Sequence, residues 1–221
     1  MSEPNLHPQR SGPKVRGAIL GLMLASLGVA PAAAHSLKDL EGQLLKRERY
    51  VQIMSKKAPG FTLRDADGNR VRLLDFAGQV VVLNFVYTNC PDVCPLHSEA
   101  IASIQEAINP TPMKGLVQFV TITTDPKRDT PAVMKTYGPE HGLDPANWVF
   151  LTSGPDKPAV TRELAWRYGL KFTPSKDGYQ MHGVVTHLID KSGDLRARYH
   201  GLKFNETNMI IHINALSNDN H

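Results

Sequence analysis

Two near-continuous apolar runs, Val80 to Val86 (V-V-V-L-N-F-V) and Val117 to Thr123, are rich in β-branched side chains. That is the pattern of strands covered on both faces. Between them Leu96, Ile101, Ile104 and Ile108 recur at helical spacing over Pro95 to Ile108, which completes a β-α-β unit. Upstream, Phe61-Thr62-Leu63 and Val71-Arg72-Leu73 flank Asp67-Gly68, a pair with hairpin turn chemistry. Downstream, Pro131 to His141 and Lys157 to Tyr168 read as helices, with Trp148 to Leu151 a short strand between them. Val184 to Ile189 and Leu195 to Tyr199 form a closing hairpin across Asp190-Lys191-Ser192-Gly193, and Asn205 to Leu216 is a last helix. Strands alternating with helices around a central sheet make an α/β sandwich.

The amino-terminal pattern is of another kind. Arg10, Lys14 and Arg16 precede an uncharged run from Gly17 to Ala30, followed by small residues at Ala32-Ala33-Ala34. As a helix this run measures about 21 Å, short for a hydrocarbon core of about 30 Å. Residues 1–34 therefore read as a signal peptide, with retention as a membrane anchor the alternative. Either outcome exports the domain, to a bacterial periplasm first and to a mitochondrial intermembrane space as second choice. Residues 35–56 form a lead-in segment, read over 36–54 as an amphipathic helix that packs on the domain or lies near a membrane. The single domain then covers residues 57–221.

Charge does little to change this picture. The whole chain of 221 residues carries 25 Lys plus Arg against 21 Asp plus Glu, and beyond residue 34 the two are nearly balanced. No nucleic-acid partner is implied. The chain has only two cysteines, four positions apart, so a disulfide between them would staple almost nothing and their role is chemical.

Cys90 and Cys94 follow the first core strand in T-N-C-P-D-V-C-P, where open α/β sheets place ligands. Helical turning would bring the sulfurs to one face, able to close a disulfide or clasp a metal. Pro95 suits the first position of a helix, which places Cys94 at the cap, where free amides and the helix dipole lower a thiol pKa. Asp92 reads as a loop-shaping residue or a support to the site. The separation departs from the C-x-x-C of thioredoxin-type reductases, so a metal-free redox dithiol is the rival reading.

A third donor is expected from Met181-His182-Gly183 ahead of the late strand. His182 stands at the strand entrance near the cysteine loop, whereas His187 lies inside the apolar ladder and, by strand alternation, is the weaker candidate. Met181 would turn away from the face His182 uses. His97, His141, His200 and His212 are read as ordinary surface residues, with His97 the strongest challenger because it follows Cys94 by three positions. Two thiolates and an imidazole suit copper, as Cu(I) or Cu(II), with zinc second.

These segments resemble the SCO/SenC family of copper proteins. The likeness covers about residues 57 to 216 and rests on F-V-Y-T-N-C-P-D-V-C-P (Phe85 to Pro95), D-P-K-R-D-T-P (Asp125 to Pro131), W-V-F-L-T (Trp148 to Thr152) and H-G-V-V-T-H-L-I-D-K-S-G (His182 to Gly193). The resemblance implies a thioredoxin-like fold with a central mixed sheet flanked by helices and an N-terminal β-hairpin. It implies metal ligands at Cys90, Cys94 and His182, and delivery of copper to the dinuclear centre of cytochrome c oxidase subunit II, with another periplasmic chaperone as a donor. The competing reading is a thiol-disulfide oxidoreductase that uses the same two cysteines to reduce the cysteines of the oxidase's copper site; a peroxidase-like or signalling role is a remoter reading. Met181 departs from the family, which commonly has Asp before the histidine, and many relatives keep a membrane anchor. The Asp125 to Pro131 loop could meet partners or simply turn the chain.

Overall fold

The structure, a computed structural model, describes Met1, residues 36–175 and residues 178–219, without the side chains of 174, 175 and 178–182. The leader, and with it the expected cleavage site, lies outside the described residues. No described helix is long and apolar enough to cross a membrane.

Helix α1 (Leu37–Arg47) opens on Ser36, whose hydroxyl accepts from the Asp39 amide, and ends with Lys46 and Arg47 in its last turn. The lead-in is shorter as a helix than its pattern suggests. Val51–Lys57 instead forms strand β1, paired antiparallel along the edge of the main sheet. Its alternation of Val51, Ile53 and basic residues suits an edge strand that is half covered. The expected hairpin is present as β2 (Thr62–Arg64) and β3 (Arg70–Arg72), turned at Gly68 with φ +85°.

Strand β4 (Val80–Val86) is buried at all seven positions, as its continuous apolar run requires. Helix α2 (Val93–Ile108) returns the chain to β5 (Val117–Thr123), parallel to β4. Next come α3 (Pro131–Glu140), β6 (Trp148–Leu151) and α4 (Pro158–Arg167). A second hairpin then appears, β7 (Lys171–Ser175) with β8 (Gly178–His182), which the sequence pattern does not announce. Phe172 and Pro174 alternate with polar residues along β7, and Tyr179 and Met181 along β8, but both runs are short and Pro174 argues against a strand. The chain closes with β9 (Val185–Ile189), β10 (Asp194–His200) and α5 (Glu206–Asn218).

The sheet has the order β1-β10-β9-β4-β5-β6, with β4, β5 and β6 parallel and the remaining pairs antiparallel. Alternation along β4 splits the core in two. Val80 and Val82 join Ile101, Ile104, Ile108 of α2 and Met209, Ile213, Leu216 of α5 on one face. Val81, Leu83 and Phe85 join Met134 and Tyr137 of α3 and Leu164 of α4 on the other. An apolar cavity of about 580 Å³ lies between the β2–β3 hairpin and the β9–β10 turn, at the opposite end of β4 from the cysteines.

Candidate metal centre

The register places three segments at one end of the sheet. β5 runs parallel to β4 through the pair Val86–Thr123, while β9 runs antiparallel through Asn84–Thr186. The start of β9 therefore lies beside the end of β4. There the Tyr87–Cys90 segment leaves β4, Thr124 and Asp125 leave β5, and His182-Gly183 enters β9. Gly183, with φ +76°, makes the bend between β8 and β9.

Both cysteines are free and buried, Cys90 at 6% exposure and Cys94 at 0%. The helix begins earlier than Pro95 implies: Asp92 is the capping position and Val93 the first helical residue, so Cys94 sits inside the first turn. Proline three residues into a helix still lacks only an amide that would be unpaired anyway. Asp92 contributes its backbone amide to Cys90, while its side chain makes no capping bond.

The two sulfurs are unequal, and in the opposite sense to the capping expectation. Burial works to raise the Cys90 pKa, but amide hydrogen bonds from Asp92 and Cys94, with the Cys94 thiol and the Tyr87 hydroxyl, bring it below the ordinary thiol value. Burial drives Cys94 well above that value, with the nearby Cys90 and Asp129 charges adding to it and the Tyr87 amide opposing. The free amides of the first helical turn thus serve the sulfur that precedes the helix. The arrangement favours ionisation at Cys90 over Cys94, with the Cys94 thiol placed to donate to the Cys90 sulfur.

Around them stand groups that sequence reasoning passed over. Asp129, 1% exposed, accepts from the Thr88 hydroxyl at 2.5 Å and amide at 3.3 Å, and from the Thr123 hydroxyl. Burial raises its pKa against those hydrogen bonds. The signal is the second aspartate of D-P-K-R-D-T-P, a stretch read as a partner-facing rim or a simple turn; Asp129 is buried, between exposed Lys127 and Arg128 before it and exposed Thr130 after it. The Tyr137 hydroxyl lies 2.8 Å from Ser98 Oγ and donates to the Cys94 carbonyl at 3.4 Å.

His182 ends β8, its backbone paired with Lys171; its side chain lies outside the described residues. His187 is fully buried, its ring nitrogens 3.3 Å from the Leu83 carbonyl and 3.1 Å from the Tyr168 carbonyl. Burial lowers its pKa to about 3. His187 follows the β7–β8 hairpin and Tyr168 precedes it, so this contact joins the two feet of the hairpin that carries His182. The surface reading of the other histidines needs correction. His97 is wholly buried, bonded through Nε2 to Thr186 Oγ1 at 2.8 Å, and burial lowers its pKa to about 4. His212 is also buried, with Nδ1 3.0 Å from the Tyr199 hydroxyl and Nε2 3.5 Å from Glu41. His141 is half-buried against the Tyr137 ring, and only His200 is exposed. Short apolar helices and strands around each explain why isolated histidines entered the core: a neutral imidazole with one partner is tolerated there. Among the described residues no cluster of three or more His, Cys, Asp or Glu is arranged to hold a metal.

A family model, SCO1/SenC, matches residues 52–218. The chain belongs to the SCO1/SenC family. It is 37% identical over 131 residues to the mitochondrial SCO2 homolog of Mus musculus, covering 58% of this chain and 51% of that protein. The chain spans about half the length of the mammalian relatives it matches. The structure of Bradyrhizobium japonicum ScoI with copper bound is 29% identical with a TM-score of 0.58, covering 72% of this chain and 98% of that one. BsSco, described with a disulfide switch and as a member of the Sco family of cytochrome c oxidase assembly proteins, superposes with a TM-score of 0.65 at 22% identity, over 75% of this chain and 96% of that one. The fold is the thioredoxin-like fold of Sco proteins, a mixed sheet between helical layers. Within it, His97, Thr186 and Asn84 place polar groups under α2, where this SCO1/SenC chain buries both the His97 Nδ1 and the Asn84 Nδ2 without a protein partner.

Proposed function

We propose that this SCO1/SenC protein carries copper in the periplasm and passes it to the dinuclear copper site of cytochrome c oxidase subunit II. Cys90, Cys94 and His182 are the ligands in this reading. The observation that carries it is the free, adjacent sulfur pair with one thiolate already stabilised, at the sheet end where the chain also returns through His182. Two thiolates and an imidazole are a donor set that copper favours. Copper here is cargo, so the chain's task is to bind it tightly enough to hold and loosely enough to release.

Cys90 offers its thiolate first. Cys94 must lose a proton to become a ligand, so loading releases that proton and weakens as pH falls. The imidazole of His182 completes a three-coordinate site, and Gly183 gives the β8–β9 junction its bend. A target thiolate then enters an open position and the donor sulfurs leave. Closure of the Cys90–Cys94 disulfide removes two ligands at once, so the ambient thiol potential gates loading. The leader directs the domain to the periplasm, with the inner membrane as an attachment site if it is retained, and another periplasmic chaperone would supply the metal.

One observation favours a second activity at the same place. An acidic Cys90 with a protonated Cys94 against it suits thiol-disulfide exchange. The Cys90 thiolate would attack a target disulfide, displacing one target thiolate. Cys94, once deprotonated, would attack the mixed disulfide, leaving the target dithiol reduced and Cys90–Cys94 oxidised. His182→Ala separates the two readings: copper affinity should fall at least tenfold while glutathione-linked dithiol exchange stays within threefold. Unchanged copper affinity in that variant removes His182 from the ligand set.

A further inference from the structure

We propose that Asp129 is a positioning residue for the cysteine pair, acting through Thr88. Asp129 lies in the loop after β5, far from either cysteine in sequence, and its carboxylate is almost wholly enclosed at 1% exposure. A buried carboxylate is costly unless each oxygen is satisfied. Here Oδ1 takes the Thr88 hydroxyl at 2.5 Å and Oδ2 takes the Thr123 hydroxyl, while the Thr88 amide reaches both oxygens at 3.3 Å. Thr123 closes β5, and Thr88 stands two residues before Cys90. The carboxylate therefore pins the cysteine loop to the end of the neighbouring strand. Backbone bonds continue the seam, with the Thr124 amide donating to Val86 O at 2.8 Å and the Cys90 amide to Tyr87 O at 3.1 Å.

The consequence for chemistry is entropic. Cys94 is already fixed by the first turn of α2, so the freedom of the pair resides in Tyr87 to Cys90. Pinning Thr88 removes that freedom in the dithiol before the sulfurs join, and a disulfide then costs less to close. Releasing the latch gives freedom back chiefly to the dithiol, because the disulfide state is held by its own bond. The latch therefore favours the disulfide relative to an unlatched loop. This inference concerns the metal-free pair and does not rest on the copper assignment.

The test is the equilibrium between protein disulfide plus two glutathione thiols and protein dithiol plus glutathione disulfide, measured on the metal-free full chain. Thr88→Val, nearly isosteric at a half-buried site, removes the hydroxyl and should shift the equilibrium toward the dithiol by at least threefold. Thr88→Ser, which keeps the hydroxyl, should stay within threefold of the parent. Asp129→Ala should shift it by tenfold or more, about 30 mV for a two-electron couple. Adding Thr88→Val to Asp129→Ala should then change nothing beyond twofold. A shift below threefold in Thr88→Val overturns the proposal, as does a double variant whose shift is the product of the two singles. A role confined to folding would lower thermal midpoints and leave the glutathione equilibrium in place. Loss of copper binding by His182→Ala would leave every one of these expectations standing.

Discussion

At the scale of single residues, identity of the chemistry was legible and its electrostatics were not. Cys90 and Cys94 stand out by their spacing and their place after a strand, but which one ionises depends on where the first helical turn aims its amides. Two residues of helix boundary, Val93 instead of Pro95, reversed the assignment. With the metal-free dithiol at pH 7.5, alkylation by iodoacetamide should modify Cys90 at least tenfold faster than Cys94, as followed by peptide mass spectrometry. Equal rates would show that the amides do not discriminate between the sulfurs. Histidines posed the same difficulty, since a sequence shows spacing but not enclosure. His97 and His187 are held neutral by burial, with pKa values near 4 and 3 against 6.5 when unfolded. The unfolded chain binds more protons in that window, so their contribution to stability is complete above about pH 6.5 and is lost as pH falls through about 4 and then 3. Urea unfolding should show stability declining by roughly 1.4 kcal/mol per pH unit for each of these histidines between pH 6 and 4.5, beyond what carboxylates contribute. His97→Gln should remove one share of that slope.

At the scale of elements, the long, strongly periodic segments were readable and the short or edge ones were not. β4, β5, α2 and the β2–β3 hairpin follow from apolar runs, helical spacing and Asp67-Gly68. The β7–β8 hairpin escaped because its alternating runs are short and Pro174 argues against a strand, while Phe172 against the core and His187 bonded to the Tyr168 carbonyl anchor it in the fold. β1 escaped for a related reason: basic residues at an edge strand look like the polar face of a helix. Packing between elements adds a constraint that the sequence hides. Gly138 of α3 lies against the Trp148 ring of β6, and a Cβ there would overlap the ring. Gly138→Ala should cost about 1–3 kcal/mol by thermal or denaturant unfolding, through displaced packing. An unchanged unfolding midpoint would mean the helix and strand are not in close contact.

At the scale of the whole molecule, function follows from the mixed sheet. Parallel β4 and β5 and antiparallel β9 bring a cysteine loop, an acidic loop and a histidine-bearing junction to one end, although they are separated by up to about 90 residues in the chain. No single motif states that convergence; the register does. The SCO1/SenC match spans residues 52–218, so it includes all three segments, and the departure at Met181 falls in the junction itself. The central claim is that the reduced sulfur pair with His182 is a copper site and that its oxidation closes it. The most direct measurement is an anaerobic copper titration of the reduced chain beside the same chain with its disulfide closed, with thiolate-to-copper absorption recorded throughout. The account predicts one copper per reduced chain with a thiolate band that saturates at that ratio, and no such band after oxidation. A reduced chain that takes up no copper, or an oxidised chain that binds it as well, would contradict it.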